Sequence, residues 1–219
     1  MRRYLGAACA ASLIGGVVLW ACEPLYPPNI TVADAADDAV TDGNASDVST
    51  SDAEIDSAVP PVTTFKAKAL IKPTSDASTV EGTAEFVEKG AAIVVTVTIT
   101  KGGGLSGEHG LHIHEKGNCD AVDGGAGLGA GGHWNPEDAG HAYPSNPMHH
   151  LGDLGNIVIN DAGAGTSTLT FPSTGIYVHD GPNSVVGHAV VFHAMRDDGV
   201  TQPVGNAGAR PGCGVIAKE

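Results

Sequence analysis

The sequence predicts an all-β domain, an eight-stranded antiparallel Greek-key sandwich or flattened barrel with long loops. Three observations point there. Short runs rich in Val, Ile and Thr alternate apolar with polar residues, the period of a half-buried strand, most clearly at 91–100 (AAIVVTVTIT). Turns marked by glycine separate these runs, as at Gly90 and Lys101-Gly102-Gly103-Gly104. Aromatic content is 5% and there are 31 glycines, a composition that disfavours a large helical core.

Three segments follow one another along the chain. Residues 1–22 read as an export signal: Arg2 and Arg3 precede an uncharged run from Leu5 to Ala21. The run ends in Leu19-Trp20-Ala21-Cys22, which resembles the lipobox of bacterial lipoproteins and implies a lipidated Cys22 attached to a membrane. A plain signal peptide or an uncleaved anchor would use the same run, whose length approaches that of a bilayer span. Each reading places the remainder outside the cytoplasm, in a periplasm or at a cell surface.

Residues 23–62 read as a disordered acidic spacer. Pro24, Pro27, Pro28, Pro60 and Pro61 bracket Asp, Ala, Ser and Thr without apolar periodicity, so ordering entropy would outweigh burial. The domain is expected over 63–219, with strands at 65–72, 79–88, 91–100, 110–115, 155–160, 166–171, 188–194 and 213–217. Between them, 117–153 is a long stretch with no periodicity. Such a loop inside a domain is usually functional and must be fixed by something other than a core.

Formal net charge is −14, from 25 acidic and 11 basic residues, which argues against a nucleic-acid partner. The charge is uneven. Residues 23–59 hold nine acids and no Lys or Arg, so 60–219 holds 25 − 9 = 16 acids against 11 − 2 = 9 bases, net −7. Of four cysteines, Cys9 lies in the signal and Cys22 at the lipid site, leaving Cys119 and Cys213 in the domain. They form either a disulfide, stable only in an oxidising compartment, or two buried thiols.

All ten histidines fall between His109 and His193. His112 and His114 are two apart on a predicted strand, so both leave the same face and can converge on one ion. His133, His141, His150 and Asp153 follow at intervals of eight, nine and three residues, all from the long loop. Three imidazoles and a carboxylate suit tetrahedral zinc. His112, His114 and His193, with one more imidazole, suit copper, which prefers nitrogen. The count works only if one histidine serves both ions, and His133, between the strand pair and the loop set, is the natural bridge.

Several motifs resemble the copper/zinc superoxide dismutase family: 107–115 (GEHGLHIHE), 131–136 (GGHWNP), 150–156 (HLGDLGN) and 205–216 (GNAGARPGCGVI). The resemblance is strong from about Glu108 to Ile216; residues 63–107 match in strand pattern and length only. It implies copper on His112, His114, His133 and His193, and zinc on His133, His141, His150 and Asp153. It implies a Cys119–Cys213 disulfide, and an Asp197 that links one copper histidine to one zinc histidine. It also implies superoxide anion as substrate and Arg210 as the arginine beside the open copper position. His133 would carry the proton between half-reactions.

The remaining histidines read as structural: His109 as packing near a strand end, His179 and His188 as surface or structural groups, and His149 as a weaker candidate than His150. Trp134 and Met148 read as packing residues. The chain departs from the eukaryotic pattern in a longer, glycine-rich loop between His114 and His133. Its 198–205 loop is short and lacks a charged helix, and Val204 stands where threonine is common. Subunit interfaces differ among bacterial relatives with short loops, so a homodimer is left open.

Overall fold

The computed structural model describes residues 10–14, 17–21 and 62–219. Two compact units divide the chain, Met1–Asp56 and Ser57–Glu219. In the first, β1 (Ala10–Ile14) pairs antiparallel with β2 (Val17–Ala21). Cys22 and the spacer up to residue 61 lie outside the described residues.

The second unit is all-β. Its strands are β3 (Thr64–Pro73), β4 (Val80–Lys89), β5 (Ala92–Gly102), β6 (Gly107–His114), β7 (Asp153–Ile159), β8 (Gly165–Pro172), β9 (Ala189–Phe192), β10 (Gly212–Val215) and β11 (Ala217–Lys218). All neighbours pair antiparallel. One sheet runs β11-β3-β4-β5-β8 and the other β7-β6-β9-β10. The sheets join where β10 also pairs with β3, Gly212 opposite Pro73 and Cys213 opposite Lys72. At the far edges, β7 and β8 are linked by a tight turn in which Asn160 N–H donates to Ala164 O at 2.9 Å, nearly closing the barrel.

Alternation builds the core. On β5, Ile93, Val95, Val97 and Ile99 are buried while Val94, Thr96 and Thr98 face outward. Fully burying one such side chain contributes about 1.5–3 kcal/mol. On β6, Leu111 and Ile113 point into the sandwich, which sends His112 and His114 to the opposite face. That outer face is not open. A second small cluster, Ala130, Ala189, Val191 and Cys213 with Cys119 against it, lies between the sheet and the long loop.

Three features differ from the sequence expectation. The predicted strand 213–217 breaks at Ile216, which is buried and bonds through its N–H to His188 O, and the chain resumes as β11 on the other sheet. Strand β9 stops at Phe192, one residue before His193. The segment 173–187, to which the sequence assigns no strand, adds Ile176, Val178 and Val185 to the main core. It is tied down by Glu88, whose buried carboxylate accepts from Val178 N–H at 2.7 Å and His179 Nδ1 at 2.7 Å.

Candidate metal centre

The long loop returns to β6 before the site begins. Trp134 N–H donates to Ile113 O, Ile113 N–H to Gly152 O, and Gly152 N–H to Trp134 O. This places His133 beside His114, to which it forms an isolated bridge, and brings Asp153 opposite His112. Gly152 is required there, because a Cβ would collide with the Ile113 carbonyl oxygen. Trp134 stacks on His188 with ring centroids 4.4 Å apart, and His188 Nδ1 donates to Glu115 O, so both serve packing.

Two donor groups result. In the first, ligand atoms of His112, His114, His133 and His193 all lie within 4.8 Å of one another. Each of three rings points a lone pair inward because its other nitrogen is already donating. His112 Nε2 donates to Asp197 Oδ2 at 2.8 Å, His114 Nδ1 to Gly131 O at 3.0 Å, and His193 Nδ1 to Gly208 O at 3.2 Å. These partners set the tautomers. Two inward nitrogens, His112 Nδ1 and His133 Nε2, are buried without any partner. Burial pushes His112 down to about 4 and lowers His114 and His193, and the Arg210 guanidinium lowers His114 further.

The second group centres on Asp153. His133 Nδ1, His141 Nδ1 and His150 Nδ1 stand 2.9, 3.0 and 3.3 Å from its Oδ1, and His150 Nδ1 is 3.4 Å from His133 Nδ1. The edge of a tetrahedron with zinc–nitrogen bonds is about 3.3 Å, so the spacing fits that ion. Ligand atoms of His112, His133, His141 and Asp153 also fall within 4.8 Å of one another. Oδ2 of Asp153 is anchored by the His150 and Ala142 N–H groups at 3.0 and 3.2 Å. Burial would raise Asp153, yet the His133 and His141 hydrogen bonds outweigh it and hold its carboxyl far below the usual range. Burial would likewise lower His141, but Asp153 and Asp197 raise it to about 9.

Asp197 spans the groups, its Oδ1 2.9 Å from His141 Nε2 and its Oδ2 2.8 Å from His112 Nε2. Its own backbone is fixed by supports that sequence reading missed: Asn156 Oδ1 accepts from Asp197 N–H at 2.9 Å, and Tyr143 OH donates to Asp197 O at 2.7 Å. Gly205 leaves room for the contact, since a Cβ there would strike Asp197 Oδ1. Arg210 is half-buried and donates from Nη1 to Gly127 O at 3.2 Å, in the glycine-rich part of the long loop. It lines a cleft of about 560 Å³ with Leu128, Ala194, Gly208 and Pro211.

The other histidines stand apart. His109 packs on Phe192 and contacts His193 O and Ser106 O through its ring nitrogens. His149 contacts only the neighbouring His150 carbonyl through Nδ1. Cys119 and Cys213 are joined as a disulfide.

The sequence profile of copper/zinc superoxide dismutase (SODC) matches residues 80–216. Superoxide dismutase (Cu-Zn) 2 of Brassica juncea is 39% identical over 143 residues, covering 63% of this chain and 89% of that protein. An extracellular superoxide dismutase (Cu-Zn) of Caenorhabditis elegans is 36% identical over 158 residues, 69% of this chain and 66% of that protein. The crystal structure of the clock protein EA4 superposes with a TM-score of 0.58 at 33% identity, covering 69% of this chain and 93% of that one. With two imidazole-rich groups on an antiparallel barrel and a profile match from Val80 to Ile216, the chain belongs to the copper/zinc superoxide dismutase family.

Proposed function

We propose that the protein is an exported superoxide dismutase, converting two superoxide anions and two protons to oxygen and hydrogen peroxide. His112, His114, His133 and His193 would hold copper, and His133, His141, His150 and Asp153 would hold zinc. One observation carries this reading: His133 turns Nδ1 toward Asp153 at 2.9 Å and leaves Nε2 buried and unpartnered among the other three imidazoles. When bound, copper supplies one-electron redox chemistry and zinc a fixed positive charge.

The chain's own residues position, steer and move the proton. His133 Nε2 is the atom that takes up a proton in one half-reaction and releases it in the other, while Asp153 keeps the ring from turning. Asp197 holds His112 and His141 in one tautomer each. Arg210, fixed by Gly127 O at the cleft, attracts and orients a small anion. Purified full-length protein is expected to hold both metals and to speed superoxide decay. Arg210→Ala is expected to keep both metals yet slow turnover by about 10-fold or more and flatten its dependence on ionic strength. Rates equal to wild type at every salt concentration would remove Arg210 from this role.

Export is supported by Arg2, Arg3 and the apolar run that follows, and agrees with a disulfide, a bond commoner in oxidising compartments. Lipidated Cys22 would anchor the chain to a membrane, with residues 23–62 as spacer. Cys22→Ala is then expected to move the protein from the membrane to the soluble fraction; unchanged partitioning would contradict the lipid anchor.

A further inference from the structure

We propose that Gln202 is a positioning residue for the set formed by His133, His141, His150 and Asp153, governing how tightly that set holds its ion. The inference rests on the two-metal reading above and concerns a residue outside either ligand set. His141 lies in a stretch, 135–147, whose backbone is held by few bonds to other backbone groups, and neither its N–H nor its C=O has a backbone partner. Gln202 supplies both. His141 N–H donates to Gln202 Oε1 at 2.7 Å, and Gln202 Nε2 donates to His141 O at 2.8 Å. A planar carboxamide closing both bonds on one residue fixes the position and the orientation of that residue's backbone.

The clamp is mounted on a rigid loop. The Asp198 carboxylate accepts from Val200 N–H at 3.0 Å, Thr201 N–H at 2.8 Å, Thr201 Oγ1 at 2.7 Å and Asn206 Nδ2 at 3.2 Å. Asp198 N–H and Gly205 O close the loop at 2.9 Å. The residue just before it is Asp197, which holds the His141 ring through Nε2. One short loop therefore grips His141 at its ring and at its backbone. Gln202 makes no hydrogen bond to His112, His114 or His193, so its direct hold is on one set, and the other feels it only through Asp197.

The test uses full-length metal-free protein titrated with Co(II), a visible probe of four-coordinate nitrogen and oxygen sites. Gln202→Met keeps the bulk and loses both bonds. Its Co(II) affinity is expected to fall about 10-fold or more, the range for residues that orient metal ligands. Cu(II) affinity of the other set is expected to fall by much less, and the thermal midpoint of the metal-free protein to stay near wild type. Gln202→Glu, which keeps the acceptor for His141 N–H, is expected to recover part of the loss. Unchanged Co(II) affinity, or equal losses in both sets, would overturn the assignment. If Gln202→Met does not fold, Gln202→Asn, one methylene too short to reach His141, is read against the same outcomes. Wild-type protein that takes up no Co(II) would instead sink the two-metal reading, and this inference with it.

Discussion

His133→Ala is expected to lower superoxide turnover by at least about 10²-fold, the smaller end of what a positioned proton donor and acceptor contributes. It should also deplete both metals. The reason is geometric. His133 offers a different ring nitrogen to each proposed ligand set, Nδ1 toward Asp153 at 2.9 Å and a buried Nε2 on the side of His112, His114 and His193. Removing it leaves the fully buried Asp153 with one hydrogen-bond partner fewer, and leaves the first group a nitrogen short. Metal analysis and superoxide decay on the same preparation check the prediction. Loss of only one metal would mean that the two groups are independent.

The second large effect is on stability. Cys213→Ser removes a bridge between residues 94 apart in sequence, which in the chain-entropy account is worth about 4–5 kcal/mol. For a domain of this size each kcal/mol corresponds to about 2–4 °C, so the midpoint of thermal unfolding is expected to fall by about 8–20 °C. Reductant should produce the same fall in wild type and none in the variant. The change would also reach the site. The bridge pins Cys119, at the head of the loop that carries Gly127 and His133, onto β10 beside the Ala130, Ala189 and Val191 cluster. A shift of a degree or two would mean that this cluster holds the loop without the bridge.

The strands were legible in the sequence because alternation is a property of each strand alone. Their ends were not, since they depend on partners: Ile216 breaks a run only because the chain changes sheet there. Glu88 shows the same divide. It falls on the inward phase of β4, with Val80, Ala84 and Phe86, so an acid in the core can be read from spacing. The loop segment that satisfies it, 91 residues away at His179, cannot. At the site, so many histidines with an aspartate within one loop and its flanking strands are rare enough to stand out. Tyr143, Asn156 and Gln202 act largely through backbone groups, a role open to many residue types, and nothing in their spacing marks them.

Asp197 gives the two halves of the centre a shared hinge. Its carboxylate is one rigid plane, so a tilt that improves the hold on His112 alters the hold on His141 by the same motion. With both ions held as proposed, loading one is expected to change the affinity for the other, and thermodynamic linkage would make that influence equal in both directions. A cell short of zinc would in this way also own a protein with a different appetite for copper.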